Sequence, residues 1–227
     1  MLQPTLTKAM PIPHSNSAPA LSGDVFGALI NLSGRRRFTS QRLVLYAVLA
    51  AQQHDGAVQT ARDALKLFTE AHVALVEGSA TVPGIFCDEL REAYFGSSQA
   101  DRVIRDFIAL ANRTLDALAD GGTRAAALLQ QLVQSGTPLL AVLNQLTQVY
   151  EELSKRHAQQ VRKQLHGVMT DIEAIAKQAR MVSFNAQIMA ARAGSAGREF
   201  AVVAGVLTDV TEKIDGLVRQ ALKNPVS

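Results

Sequence analysis

A chain of 227 residues is long enough for one large or two small domains with a sizeable apolar core. Its 23 Lys and Arg against 20 Asp and Glu leave a net charge of +3, too small for a surface that coats nucleic acid. The single cysteine, Cys87, permits no internal disulfide and fits a reducing, cytoplasmic setting. The longest apolar run, Leu43 to Ala51, is nine residues and too short to span a bilayer, which argues against a membrane segment. Pro4, Pro11, Pro13 and Pro19 crowd the start, where residues 1–22 read as a disordered tail without the features of a secretory signal.

From Asp24 onward Ala, Leu, Gln and Arg dominate and apolar residues recur at three and four, so the chain is all-α. The pattern predicts a first helix to about His54, closed by Asp55-Gly56, and a second from Ala57 to Glu77, closed by Gly78. A short helix over 85–95 ends at Gly96, and Ser98 to Asp101 reads as a capping box opening a helix to Asp120. Gly136-Thr137-Pro138 predicts a break and a fresh helix start, with no further stop before Gly194. A helix of that length needs support beyond a small bundle. The support is a heptad seam: Val168, Ile172, Ile175, Ala179, Val182, Ala186, Met189 and Ala193 alternate spacings of four and three. After the Gly194-Ser195-Ala196-Gly197 turn, Phe200, Val203, Leu207, Val210, Ile214, Leu217 and Ala221 keep the rhythm. Two such seams joined by a glycine turn predict an antiparallel hairpin.

The run from Asn185 to Ala204, with its core Ala-Ala-Arg-Ala-Gly-x-x-Gly-Arg-x-Phe-Ala-Val-Val-Ala, closely resembles the hairpin tip of the signalling domain of methyl-accepting chemotaxis proteins, over about residues 171–217. The resemblance implies a dimeric hairpin that docks a chemotaxis-type histidine kinase or its coupling protein. By position it places Met181, Phe184, Asn185, Val202 and Val203 on the docking surface and Arg192, Gly194, Gly197 and Arg198 at the tip. Met189, Ser195 and Glu199 depart from the family pattern. With the return limb ending at Ser227, paired adaptation helices and reversible methylation are not expected.

In the first helix, Ile30, Gly34, Arg37, Gln41, Val44 and Val48 form an apolar stripe interrupted by glycine, arginine and glutamine. A mid-helix glycine and a partly buried arginine both cost stability, which points to use rather than packing. Gly34 permits close approach, and Arg37 offers a planar, permanently charged fork suited to an oxyanion. The run Ile30 to Arg42 is similar to the first-helix signature, the P-box, of the sensor domain of nitrate-sensing kinases and type IV pilus chemotaxis transducers. That resemblance implies a four-helix-bundle sensor domain over 23–153 that forms a homodimer through this helix. It also implies nitrate or nitrite bound on the dimer axis by Arg37, with Gly34 and Gln41 beside it. Two Arg37 side chains ~6 Å apart would repel by roughly 3 kcal/mol at an effective dielectric near 20, and one anion between them reverses the sign.

The expected organisation is therefore a tail (1–22), the sensor bundle, a weakly apolar helical connector (154–167) and a chemoreceptor-type hairpin (168–227). The histidines His14, His54, His72, His157 and His166 form no metal-ligand pattern, and Cys87 lacks a histidine partner. The glycines at 194–197 lack the lysine of a phosphate loop. No enzyme, cofactor or metal is expected. Arg35, Arg36, Arg37 and Arg42 come without a recognised binding motif, which argues against nucleic acid. An oxyanion sensor with a chemoreceptor-like output leads; a ligand-free helical adaptor of a chemotaxis-type or pilus signalling complex is the alternative.

Overall fold

The computed structural model describes residues 21–223, and all regular structure among them is helical. The elements are α1 (Gly23–Ala51), α2 (Ala57–Glu77), α3 (Asp88–Phe95), α4 (Ala100–Ala119), α5 (Ala125–Arg192) and α6 (Arg198–Lys223), with a 3-10 turn at Gly194–Gly197 before α6. The expected tail lies outside the described residues up to residue 20. Ser22 instead caps α1, its Oγ accepting from the Val25 amide at 3.3 Å. The chain divides into two compact units at Ser154/Lys155.

Two local expectations fail for identifiable reasons. The capping box at Ser98 does not form: Ser98 donates to the Ala93 carbonyl, and Gln99, at φ 45°, occupies the N-cap of α4 without a side-chain capping bond. Asp101 is drawn away to His72 and Arg105. The break at Gly136-Thr137-Pro138 is also absent, since α5 runs through Pro138 unbroken. Proline removes one amide from the helix ladder, but Pro138 and Gln134 both lie on the exposed side, where water can satisfy the freed carbonyl.

In the first unit, α1 buries Phe26, Leu29, Ser33, Arg36, Ser40, Leu43 and Ala47, spaced three and four in alternation. The stripe read from the sequence, Ile30 to Val48, is one residue out of phase. One residue is about 100° of helix, so those positions flank the core rather than fill it. Leu65, Phe68 and Leu75 of α2, Ile104, Phe107 and Leu115 of α4, and Leu132, Leu139, Leu143, Leu146 and Tyr150 of α5 complete one core. Phe68 and Phe107 meet edge to face at 5.6 Å. Helices α1 and α5 run antiparallel in a defined register: Ser33 meets Thr147, Arg37 meets Asn144, and a Cβ on Gly136 would lie 4.0 Å from Val44. Within α5 one 18-residue window of mean hydropathy 1.3 is long and apolar enough to cross a membrane by length and composition alone, although no uninterrupted apolar run suggests it.

In the second unit the distal half of α5 and α6 form the expected antiparallel hairpin, but not through the expected seam. The residues buried between the two limbs are Ala176, Ser183 and Ala190 on α5, Gly197 at the end of the 3-10 turn, and Ala204, Thr211 and Val218 on α6, each seven apart along its limb. Ser183 donates to the Ala204 carbonyl and pairs with Thr208, while Arg180 pairs with Asp215. Most of the large side chains of the expected seam point outward: Ile175, Val182, Met189, Val203, Val210 and Leu217 are exposed, Val203 by 66%. Small residues zip the limbs because they allow close helix approach; large ones in that layer would force the limbs apart. Val161 and Leu165, in the stretch expected as a connector, are exposed along α5.

The tip depends on two glycines. Gly194 takes a left-handed φ of 62°, and a Cβ on Gly197 would fall 2.1 Å from the Ala190 carbonyl oxygen. Gly205, inside α6, has open space at its Cβ. Gly197→Ala is expected to destabilise the hairpin by about 1–3 kcal/mol. Gly205→Ala is expected to stabilise it by about 0.5–1 kcal/mol. Denaturant titration followed by circular dichroism checks both.

Candidate functional site

The polar interruption of α1 sits deeper than the sequence suggests. Arg36, not Arg37, occupies the core: its side chain is fully buried, at 0% exposure. Its guanidinium carries only donors, which fixes the direction of every bond around it. Nη1 donates to Nδ1 of His72 at 3.3 Å, so His72 is the neutral tautomer with its proton on Nε2, and Nε2 donates to Asp101 Oδ1 at 3.0 Å. Nη2 donates to Ser33 Oγ at 3.4 Å. The Thr147 hydroxyl donates to the Leu143 carbonyl, so it accepts from Ser33 across 2.8 Å. The Arg36 guanidinium also lies 5.6 Å from the ring centre of Tyr94, whose hydroxyl pairs with that of Tyr150 at 3.1 Å. One charged side chain thus joins α1 to α2, α4 and α5 and leans on α3. Its Nε is buried without a partner.

The electrostatics follow from this arrangement. Burial, then the neighbouring Arg36 charge, lowers the His72 pKa from 6.5 to about 4, partly offset by Asp101. The contact with Asp101 is therefore a hydrogen bond of neutral imidazole at ordinary pH, and Asp101's ionic partner is Arg105, at 2.8 Å. Burial pushes the Tyr150 hydroxyl far up, so it stays protonated, and burial likewise raises the Cys87 thiol.

Arg37 lies one position round the helix, half-buried, and donates from Nη1 to Asn144 Oδ1 of α5 at 3.2 Å. Its Nη2 lies 3.7 Å from where a Gly34 Cβ would stand. Gln41 is exposed. The structure thus brings Arg37 beside Gly34, while Gln41 takes part in none of the described hydrogen bonds. Gly27, Asn31, Phe38, Gln41 and Leu45 form an outward stripe of α1 around Gly34, with Phe38 64% exposed. A separate open groove of about 710 Å³, lined by Ala50, Leu118, Gly122, Leu129 and Val133 among others, has no charged residue and none of the predicted site residues. No cluster of potential metal ligands occurs among the described residues.

On the hairpin, Met181, Phe184, Asn185 and Val202 are exposed on faces turned away from the buried seam, and Ile188 joins Phe184 and Met181 there. Val203 belongs instead to the outward apolar face with Val210 and Leu217. Arg192 and Arg198 are exposed on either side of the tip.

Residues 123–220 match the family model of the methyl-accepting chemotaxis protein signalling domain. The match starts at Thr123, far ahead of the tip motif, and takes in all of α5. The chain is 28% identical over 192 residues to methyl-accepting chemotaxis protein NahY of Pseudomonas putida, which covers 81% of this chain and 34% of that protein. It is 33% identical over 123 residues to methyl-accepting chemotaxis protein TlpQ of Pseudomonas aeruginosa, 53% of this chain and 14% of that one. The chain spans about a third of one relative and about a seventh of the other. No solved structure matches significantly. These likenesses are to chemoreceptor-type signalling proteins rather than to enzymes.

The buried imidazole gives a signed expectation. Between pH 6.5 and about 4 the folded chain binds fewer protons at His72 than the unfolded chain. Stability is therefore unaffected by His72 above that window and falls as pH drops through it, by up to about 3 kcal/mol. His72→Gln, which keeps an acceptor for Arg36 and a donor for Asp101, removes this part of the slope in denaturation measured across pH.

Proposed function

We propose that the chain is a chemoreceptor-type signal transducer that works as a cytoplasmic homodimer. In this reading the helical bundle senses a small oxyanion, nitrate or nitrite, and the hairpin docks a chemotaxis-type histidine kinase or its coupling protein. The observation that carries it is the division of labour in the hairpin: small residues close the limbs, and a heptad-spaced row of large apolar residues faces outward on both. A second copy is the partner whose own row repeats that spacing, and two hairpins packed so would form a four-helix bundle. The exposed Met181, Phe184, Ile188 and Val202 then remain for the signalling partner.

The oxyanion assignment is supported by the chemistry of α1. Arg37 stands at the edge of the outward stripe of α1, beside a glycine, and its described bond is to a neutral amide. A planar guanidinium without a carboxylate partner is suited to a trigonal anion. Packing two copies along the stripe would bring both Arg37 residues to one seam, where an anion offsets their repulsion. A helical adaptor without ligand is the reading that remains if no anion binds.

Calorimetry on the full chain is expected to register nitrate binding that Arg37→Ala abolishes. Equal heats from the two proteins would defeat the ligand assignment. Sedimentation equilibrium is expected to give a dimer, and Val182→Glu combined with Val210→Glu a monomer of unchanged helicity. A wild-type monomer throughout the micromolar range would defeat the dimer.

A further inference from the structure

Arg37 is held in a particular way that the oxyanion reading alone does not require. One arm of its guanidinium, Nη1, is tied to Asn144 Oδ1 on α5 at 3.2 Å. The other, Nη2, lies over Gly34, 3.7 Å from the point a Cβ would occupy there. Because the guanidinium is planar and rigid, fixing one arm fixes the other. Gly34 belongs to the outward stripe of α1, so the free arm is presented on the stripe rather than left to swing in solvent. An arginine has several rotatable bonds, and ordering it at the moment of binding weakens the ligand's hold. Only the carbonyl oxygen of Asn144 can face a group that carries donors alone, which leaves the amide nitrogen of Asn144 directed elsewhere.

The position of Asn144 along α5 is equally specific. It stands three residues before Thr147, whose bond to Ser33 is backed from inside the core by Arg36, and six before Tyr150. The α1–α5 register is thus set by an inner bond anchored in the core and an outer bond that ends on the ligand-facing arginine.

We propose that Asn144 is a positioning residue for the anion site: it orients Arg37 over Gly34 and makes the helix α5 part of that site. This rests on the reading of Arg37 as the oxyanion ligand. The anion touches Arg37, Arg37 touches Asn144, and Asn144 lies in the helix that continues into the hairpin.

Nitrate calorimetry on full-length variants tests it, with thermal melting alongside. Asn144→Leu keeps the size and removes the acceptor; it is expected to weaken nitrate binding two- to tenfold, the range for one solvent-accessible hydrogen bond, with the melting temperature unchanged. Asn144→Gln, which retains the acceptor, is expected to recover most of that loss. Asn144→Asp still holds Arg37 but sets a negative charge beside the anion. It is expected to weaken binding more than tenfold at neutral pH and to recover as the pH falls through the carboxylate range, while the wild type changes little. Unchanged or tighter binding by Asn144→Leu, or an Asn144→Asp variant whose affinity ignores pH, overturns the proposal. A wild type that binds nitrate through Arg37 while the Asn144 variants match it overturns this inference alone; a wild type that binds no nitrate overturns both readings.

Discussion

Burying a guanidinium in the middle of an apolar helical bundle imposes conditions on everything around it. Arg36 has five N–H donors and no solvent to receive them. The bundle answers with an imidazole held neutral, a serine whose hydroxyl passes the bond on to Thr147, and the face of Tyr94. Each answer constrains another element: His72 needs Asp101 to fix its tautomer, Asp101 thereby leaves the N-terminus of α4 without its side-chain cap, and Ser33 with Thr147 fixes how α1 lies along α5. A buried charge of this kind is seldom an asset to stability compared with a hydrophobic residue of the same volume, but removing one partner leaves an uncompensated charge. The network is thus an all-or-none feature that specifies one arrangement of helices.

Two adjacent arginines do opposite things because one residue is about 100° of helix. Arg36 faces inward and sets the register of the bundle. Arg37 faces the seam between α5 and the outward stripe, where it is half-buried and reaches a neutral amide. The chain thereby separates an arginine that must be matched internally from one whose charge remains available. Gly34 lies beside the second, and a Cβ there would stand 3.7 Å from Nη2 of the Arg37 guanidinium.

The all-α class, the bounds of α2 and the hairpin turn at Gly194–Gly197 were legible in the sequence, because heptad spacing and glycine stops are local signals. The phase of α1 was not. Ile30, Val44 and Val48 attract attention as apolar residues, whereas the true core face hides Ser33, Arg36 and Ser40 among Leu29 and Leu43. Counting three and four outward from Leu29 and Leu43 would have found it. Pro138 misled because a proline breaks a helix only where its lost bond cannot be replaced, and exposure is a tertiary fact. The hairpin seam misleads for a related reason: the most apolar heptad row reads as the inner one, but the closest helix contact selects Ala176, Ser183, Ala190 and Ala204. His72, Asp101, Thr147 and Asn144 have no motif to announce them; pairs separated by 29 to 114 residues in the chain become partners only when the helices pack.

Closing the hairpin with alanine, serine, glycine and threonine has an energetic corollary. Side chains this small remove little apolar area from water, so the two limbs gain little from each other at roughly 25 cal/mol per Å². The bulky residues that could contribute more are turned to the solvent side. Anything that covers that side and binds only the folded hairpin adds RT ln(1 + [L]/Kd) to its stability, so how firmly the two limbs hold together depends on how much of that partner is present.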